Sequence, residues 1–575
     1  MRAPTATLGE ILATRAQSTP DRLAFTYSDD GVTPPVRLTY LDLHRRAQQV
    51  AGRLLDAVAP GSHVLLLLEP GLDFVAAVFG CLQAGMVGVS AMPPHPKRLH
   101  RIEPRLRAVA ADADVHAVLS TAAIRAAAMP LFADGLALAG TRWIAVDDAQ
   151  DAVVGGVTVG RPSDLAFMQY TSGSTSHPRG VMLTHANLLA NVEVLGRRMR
   201  LSSESRAFCW LPPSHDMGLV AGILQPVYLG YPSALMSPLT VIKRPLRWLE
   251  GVSNFRATVS GAPDFAYELA VRRTTPEQRE SLDLSCWEVA FNGAEPIRVR
   301  TIEAFSDAFA PCGLRRSSVY PCYGLAEATL MVTGPTRRRE PTLLAVDAHG
   351  LEQGRVRPPS QGSRAVTLVG CGEAADDHEI VIVERKTRRR ARADELGEIW
   401  VYGPSVAQGY WRREAASHAV FEARIEGEEV TSRRFLRTGD VGFVRNRELF
   451  IVGRLKDVII LNGRNHHAHD LEAIADASHH RLRPHCSAAF AIESDTGAAA
   501  AIVLEVDPGP VEELAGIIHA VRRQVLHDLD VQLGRVALVG LGAVPKTTSG
   551  KIQRQRCRRL LDDPRLELLA DWRLR

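Results

Sequence analysis

Four segments of the chain combine residue types that bind and polarise phosphate. The first, Gln169-Tyr-Thr-Ser-Gly-Ser-Thr-Ser-His-Pro-Arg-Gly-Val181, sets small and hydroxylated residues, a proline and an arginine between two apolar runs. Leu165-Ala-Phe-Met before it has strand character, and Thr184 after it has the character of a helix N-cap. Strand, loop and helix start in that order aim backbone N–H groups and hydroxyls at phosphate oxygens. Gly173 and Gly180 stand seven apart with no Gly-Lys-Ser/Thr following, which excludes a Walker A loop and with it a P-loop ATPase or kinase. The second segment, Tyr323-Gly-Leu-Ala-Glu-Ala-Thr329, offers a ring, a carboxylate and a hydroxyl within one turn, which suits a nucleotide with its magnesium. In the third, Arg437-Thr-Gly-Asp440 is followed by Gly453-Arg-Leu-Lys-Asp457, where an aspartate can accept both ribose hydroxyls with an arginine in support. The fourth, Pro545-Lys-Thr-Thr-Ser-Gly-Lys551, presents a lysine at the end of a turn near the C-terminus.

In this order and at these separations the four segments resemble the adenylate-forming superfamily of acyl-CoA synthetases, peptide-synthetase adenylation domains and luciferases, over essentially the whole chain. Val64-Leu-Leu-Leu-Leu-Glu-Pro-Gly-Leu-Asp-Phe-Val-Ala-Ala, Trp210-Leu-Pro-Pro-Ser-His-Asp-Met-Gly218, Ser260-Gly-Ala-Pro-Asp-Phe-Ala-Tyr267 and Ala290-Phe-Asn-Gly-Ala-Glu-Pro296 look like the fatty acyl-AMP ligases within it. A polar insertion at about 343–372 is a further mark of that group, where it restricts the domain rotation that lets coenzyme A react. The resemblance therefore implies fatty acid activation with ATP and magnesium, with an acyl carrier protein or synthase carrier domain in trans as acceptor.

Adenylation joins two anions, so its residues must hold the reactants together and neutralise charge at the α-phosphate and leaving group. Thr171, Ser172, Gly173, Ser174 and Thr175, with Gly180, are expected on the β/γ-phosphates and Arg179 beside them. Arginine stands where most of the superfamily has lysine; it keeps the charge and adds a planar donor fork. Glu327 is the expected magnesium ligand, and Thr329 is expected against the α-phosphate. Tyr323, Gly324 and Ala326, with Asn292, Gly293, Ala294 and Glu295, are expected around the nucleotide, while Asp440 and Arg454 take the ribose. Lys551 is the expected principal catalytic residue, reaching the site when a small domain closes. His215, Asp216, Met217, Gly218, Ser260, Gly261 and Asp264 are expected at the acyl pocket, and Lys456 at the hinge. Asp264 departs from the amide common in the group, and His466, His467 and His469 stand where it has an aromatic and a proline.

The elements that must position these residues follow from pattern. At 575 residues the chain exceeds one hydrophobic core. From about Leu38 to Gly324, short Val/Ile/Leu runs alternate with helical patterns, which implies stacked α/β layers. Strands joined by turns follow from about 379 to 453, and a small α+β unit after that. The expected fold class is α/β, a large multi-layer N-terminal domain over 1–455 with a β-rich subdomain, and a mobile α+β lid over 456–575. An amphipathic helix near the N-terminus is expected to be capped by Thr5.

Composition removes other classes. Net charge is +4, with 68 basic residues against 64 acidic ones, so bulk attraction to nucleic acid is not implied. Arg385-Lys-Thr-Arg-Arg-Arg-Ala-Arg392 lacks interleaved aromatics and reads as a solvated hairpin loop. Eight scattered cysteines without a Cys-x-x-Cys pair fit reduced thiols in the cytoplasm. The longest apolar region, Val64 to Met92, is broken by Glu69, Pro70 and Asp73, so no membrane span is expected. Two alternatives stand: a fatty acyl-CoA synthetase, and a non-catalytic nucleotide or acyl-AMP binding protein.

Overall fold

The computed structural model describes residues 7–93, 99–132, 138, 141–148, 160–171, 178–375, 377–428, 433–461, 464–494, 497–547, 550–563 and 565–574. Two large sheets form the body of the N-terminal domain. One has six strands in the order Arg142–Ala145, Ala117–Ser120, His63–Leu67, Val87–Ser90, Leu165–Thr171 and Arg179–Thr184, parallel except for the last pair. The other has seven, from Val319–Pro321 through Val289–Asn292, Val259–Ala262, Ala207–Cys209, Ser233–Met236 and Leu23–Ser28 to Val36–Thr39, with only the last pair antiparallel. Parallel strands buried on both faces read as unbroken apolar runs, as His63–Leu67 does with all five residues buried. Helix Leu72–Gln83 is buried at every residue except Asp73, because its apolar residues surround the axis rather than lining one face. One core joins both sheets and the helices between them.

Helix Leu8–Ser18 starts at Thr7, whose hydroxyl accepts from the Glu10 N–H while the Glu10 carboxylate accepts from the Thr7 N–H. The cap is therefore Thr7 rather than Thr5, which lies outside the described residues; Glu at the third position completes the reciprocal box. The strands Glu379–Val383, Gly397–Tyr402, Leu436–Arg445 and Glu448–Arg454 form one antiparallel sheet, with the arginine-rich segment in the turn between the first two. The inserted segment forms an antiparallel hairpin, Leu343–Asp347 with Ala365–Val369. Its Val346 and Leu351 pack with Phe443, Phe450 and Val452 of the antiparallel sheet.

Beyond these strands the smaller C-terminal domain has a core of its own, running from Ile459 to Leu538. Its sheet takes Leu482–Ser494, Gly497–Val506, Leu533–Val539 and Leu568–Arg573, with helices Ala468–Ala477 and Leu514–Leu529 packed on it. No helix among the described residues is long and apolar enough to cross a membrane.

Candidate active site

A cleft of about 2690 Å³ runs between the large domain and the small one. Two strands build one end of it. In their antiparallel register Asp440 faces Arg454, and the pair is joined from Arg454 Nε to Asp440 Oδ1 at 2.9 Å. The other carboxylate oxygen accepts from Tyr323 Oη at 2.8 Å, and the Asp440 N–H donates to Thr438 Oγ1 at 3.1 Å. Asp440 is buried, so a charge there is tolerated only because both oxygens are partnered. Asp440 in turn holds the Arg454 guanidinium above its ordinary pKa, and burial, reinforced by Asp440, pushes the Tyr323 phenol well up.

The phosphate segment differs from the expected strand, loop and helix. Thr171 pairs with Arg179 across a hairpin, and the second strand, Arg179–Thr184, precedes helix His185–Arg198. The helix N-terminus is thus separated from the loop, and its Thr184 cap is satisfied by Asn187. Ser172, Gly173, Ser174 and Thr175 lie outside the described residues. Thr171 and Arg179 line the cleft, and Gly180 is buried against the Tyr170 ring. The Arg179 guanidinium lies 5.2 Å from the centroid of the Tyr410 ring, whose hydroxyl donates to Glu327 Oε1 at 2.8 Å. Tyr410 was not anticipated from sequence, since a lone Gly-Tyr between strands carries no local signal.

Glu327 sits in the short turn Ala326–Ala328 and lines the cleft with Tyr323, Gly324 and Ala326. Thr329 does not. It closes that turn at φ 70° with no exposed surface, and its hydroxyl donates to the Ser405 carbonyl at 2.7 Å, so it is spent on the fold and has no path to a phosphate.

Lys551 is presented by a turn tied at both ends. The Thr547 N–H donates to the Lys551 carbonyl at 2.8 Å, and the Lys551 N–H to Thr547 Oγ1 at 3.0 Å. The side chain lies in the field of Asp216, Glu295 and Asp440 from the large domain, with Arg454 opposing. Burial and Arg454 lower the ammonium pKa against those three carboxylates. Lys456 also lines the cleft, its pKa lowered by burial and by Arg454. The small domain is held down by His485, whose Nε2 is 2.7 Å from Glu268 Oε2 and which contacts Arg298 Nη1 at 3.1 Å. A second tie runs through the inserted hairpin: Arg364 donates to the Asp528 carbonyl at 2.5 Å, and Asn465 to that of Glu352 at 3.1 Å.

His215, Asp216 and Met217, expected at the acyl pocket, line the cleft. His215 Nδ1 is 2.5 Å from Asp216 Oδ1, which also accepts from the Met217 N–H at 2.7 Å. Burial pushes the Asp216 pKa up, but His215 and Lys551 outweigh it and leave it below the usual value.

Besides Thr329 and Gly180, five of the described expected residues do not line the cleft: Gly218, Ser260, Gly261, Asp264 and Asn292. A Cβ on Gly218 would stand 2.2 Å from the Pro212 carbonyl oxygen, and one on Gly261 2.2 Å from that of Phe291, so both are glycine for close backbone packing. The Ser260 hydroxyl accepts from Trp248 Nε1 at 2.9 Å and donates to the Phe208 carbonyl at 2.7 Å. Asp264 is fully buried and accepts from Asn292 Nδ2 at 3.0 Å, from the Arg298 N–H at 3.3 Å and from the Thr301 hydroxyl at 2.9 Å. Asp264 and Asn292 therefore brace the turn that presents Gly293, Ala294 and Glu295, all three of which do line the cleft. Glu295 Oε1 accepts from the Phe265 N–H at 2.7 Å.

Among the described residues no group of three or more His, Cys, Asp or Glu could hold a metal ion, the three neighbouring histidines included. Burial pushes His467 down to about 4 and His469 to about 3, so both are neutral where they line the cleft.

The pattern of the AMP-binding enzyme family matches residues 12–411, so the chain, an enzyme with this cleft between a large and a small domain, belongs to that family. Within it the chain groups with the fatty acyl-AMP ligases. It is 40% identical over 565 residues to the medium-chain-fatty-acid–acyl-carrier-protein ligase JamA of Moorena producens, covering 96% of this chain and 94% of that one. The long-chain-fatty-acid–AMP ligase FadD26 of Mycobacterium marinum is 34% identical, with 95% and 96% covered. A crystal structure of a fatty acid AMP ligase from Legionella pneumophila superposes with a TM-score of 0.75 at 35% identity, over 99% of this chain and 98% of that one.

Proposed function

We propose that the protein activates a medium- or long-chain fatty acid with ATP, releasing pyrophosphate, and passes the acyl group to the phosphopantetheine thiol of a carrier protein. The observation that carries this reading is the seat of Lys551, which lines one cleft with Asp216, Glu295 and Asp440. In the first step a fatty carboxylate oxygen bonds to the α-phosphorus and the bond to the pyrophosphate oxygen breaks. Lys551 bridges the attacking carboxylate and the α-phosphate and stabilises the charge that develops there. Asp440 accepts from the ribose hydroxyls while Arg454 and Tyr323 fix its orientation. The backbone of Gly293, Ala294 and Glu295 lines the adenine, and Arg179 faces the outer phosphates beside Thr171.

Glu327 fits a magnesium site, since its Oε1 is held by a neutral phenol and it lines the cleft as a single carboxylate, the usual protein share of such a site. Bound magnesium supplies positive charge to the phosphate oxygens. In the second step the carrier thiol loses its proton to solvent, its sulfur bonds to the acyl carbon, the bond from that carbon to the phosphate oxygen breaks, and AMP leaves. The inserted hairpin, tied to the small domain through Asn465 and Arg364, favours a carrier thiol over coenzyme A. Asp440, Glu327 and Lys551 together favour catalysis over simple nucleotide binding.

The test is mass spectrometry of products from a fatty-acid panel with ATP, offering coenzyme A and a holo carrier protein in parallel. Acyl-AMP and acyl-carrier are expected. Efficient acyl-CoA formation would overturn the acceptor, and no acid-dependent exchange of pyrophosphate into ATP would overturn the reaction.

A further inference from the structure

Past the acyl end of the cleft lies a second void, with room for about one water-sized group at about 10 Å³. Leu195, Met199, Ala221 and Phe291 line both spaces, so the void adjoins the cleft across these four side chains. Its far wall carries Gln225, 1% exposed, whose amide oxygen and nitrogen are both buried with no partner among the described residues. Leaving a buried donor and acceptor unmade costs about 1–3 kcal/mol each, and an apolar side chain would remove that cost. An amide at the blind end of an apolar space therefore points to a ligand group that satisfies it.

Helix Met217–Leu224 links the two ends, with Met217 at the reaction end and Gln225 directly following its last residue. At the rise of a helix those eight steps span on the order of 10 Å, the reach of a medium-length acyl chain. The void is too small for a carboxyl or amide group, and a charged end would lie in an apolar wall without a counter-ion. A hydroxyl fits both limits, and it can donate to the amide oxygen or accept from the amide nitrogen.

We propose that this pocket selects a medium-chain acid bearing a hydroxyl at its ω end, with Gln225 as the specificity-determining residue. The inference rests on the fatty-acid reading above and adds the class of acid.

The experiment measures acid-dependent pyrophosphate exchange for a homologous series of medium-chain acids, each with and without an ω-hydroxyl. Wild type is expected to favour the hydroxylated acid by about tenfold in kcat/KM at one chain length. Gln225→Leu is expected to reverse that ratio through the KM of the acid, with the KM of ATP unmoved. A wild type without ω preference at any length, or a preference that survives Gln225→Leu, overturns the proposal; a resident water in the void gives that first result. Turnover of unsubstituted acids alone overturns this inference and leaves the adenylation reading standing. Failure with every acid overturns both.

Discussion

Tyr323 donates its phenolic hydroxyl to Asp440 Oδ2 at 2.8 Å, although the two residues are 117 positions apart. The bond ties the turn carrying Glu327 to the strand carrying Asp440, so these two parts of the proposed nucleotide site cannot shift independently. With Arg454 on the other oxygen, Asp440 has one orientation available.

Tyr323→Phe should therefore raise the KM for ATP by about tenfold or a little more, the worth of one buried hydrogen bond to a charged group, with kcat little changed. Asp440→Asn should cost more, about a hundredfold in kcat/KM for ATP, because it strands Arg454 as well as losing the ribose acceptor. Steady-state kinetics with the acid saturating separates the two.

Lys551→Ala should lower acyl-adenylate formation by about two to three orders of magnitude while ATP binding persists, since the lysine acts where charge develops. Pyrophosphate exchange reads the first quantity and calorimetric ATP titration the second. Unchanged exchange would remove Lys551 from the catalytic step.

Burial and the neighbouring Glu295 push Asp264 up to about 6 from an ordinary 3.8. Its native state thus holds a proton that the unfolded state has lost between those values, so its contribution to stability falls as pH rises from about 4 to 6 and stays low above. Asp264→Asn should raise stability at pH 7 by about 2–3 kcal/mol and flatten that part of the profile. Thermal melts of both proteins at a series of pH values check it, and equal profiles would refute it.

Arg364→Ala with Asn465→Ala cuts the two bonds through which the hairpin holds the small domain. The double variant should keep adenylation within about twofold and form acyl-CoA at least about tenfold faster, a modest change in a domain-rotation equilibrium. Product analysis with coenzyme A as sole thiol decides it.

Much of the site was legible because motif residues act through short stretches of chain. Glu327, Asp440, Arg454 and Lys551 were placed from their segments and converge on the cleft, as does the turn at Gly293. What sequence could not give was direction. Thr329 and Ser260 carry hydroxyls suited to a ligand, but each is committed to a backbone carbonyl in the fold. Asp264 reads as a pocket carboxylate until its three donors are seen. The strand Arg179–Thr184 was hidden because its apolar residues run directly into a well-capped helix. Tyr410 reaches Glu327 across 83 residues, a distance no local pattern spans.

The shortage of lysine has a use outside catalysis. The chain carries six lysines among its 68 basic residues, and Lys243, Lys456, Lys546 and Lys551 line the cleft. To an amine-reactive reagent the protein is almost blank except along this seam. Covalent labelling read by peptide mass would therefore follow the opening and closing of the two domains in the unmodified enzyme, without an introduced probe.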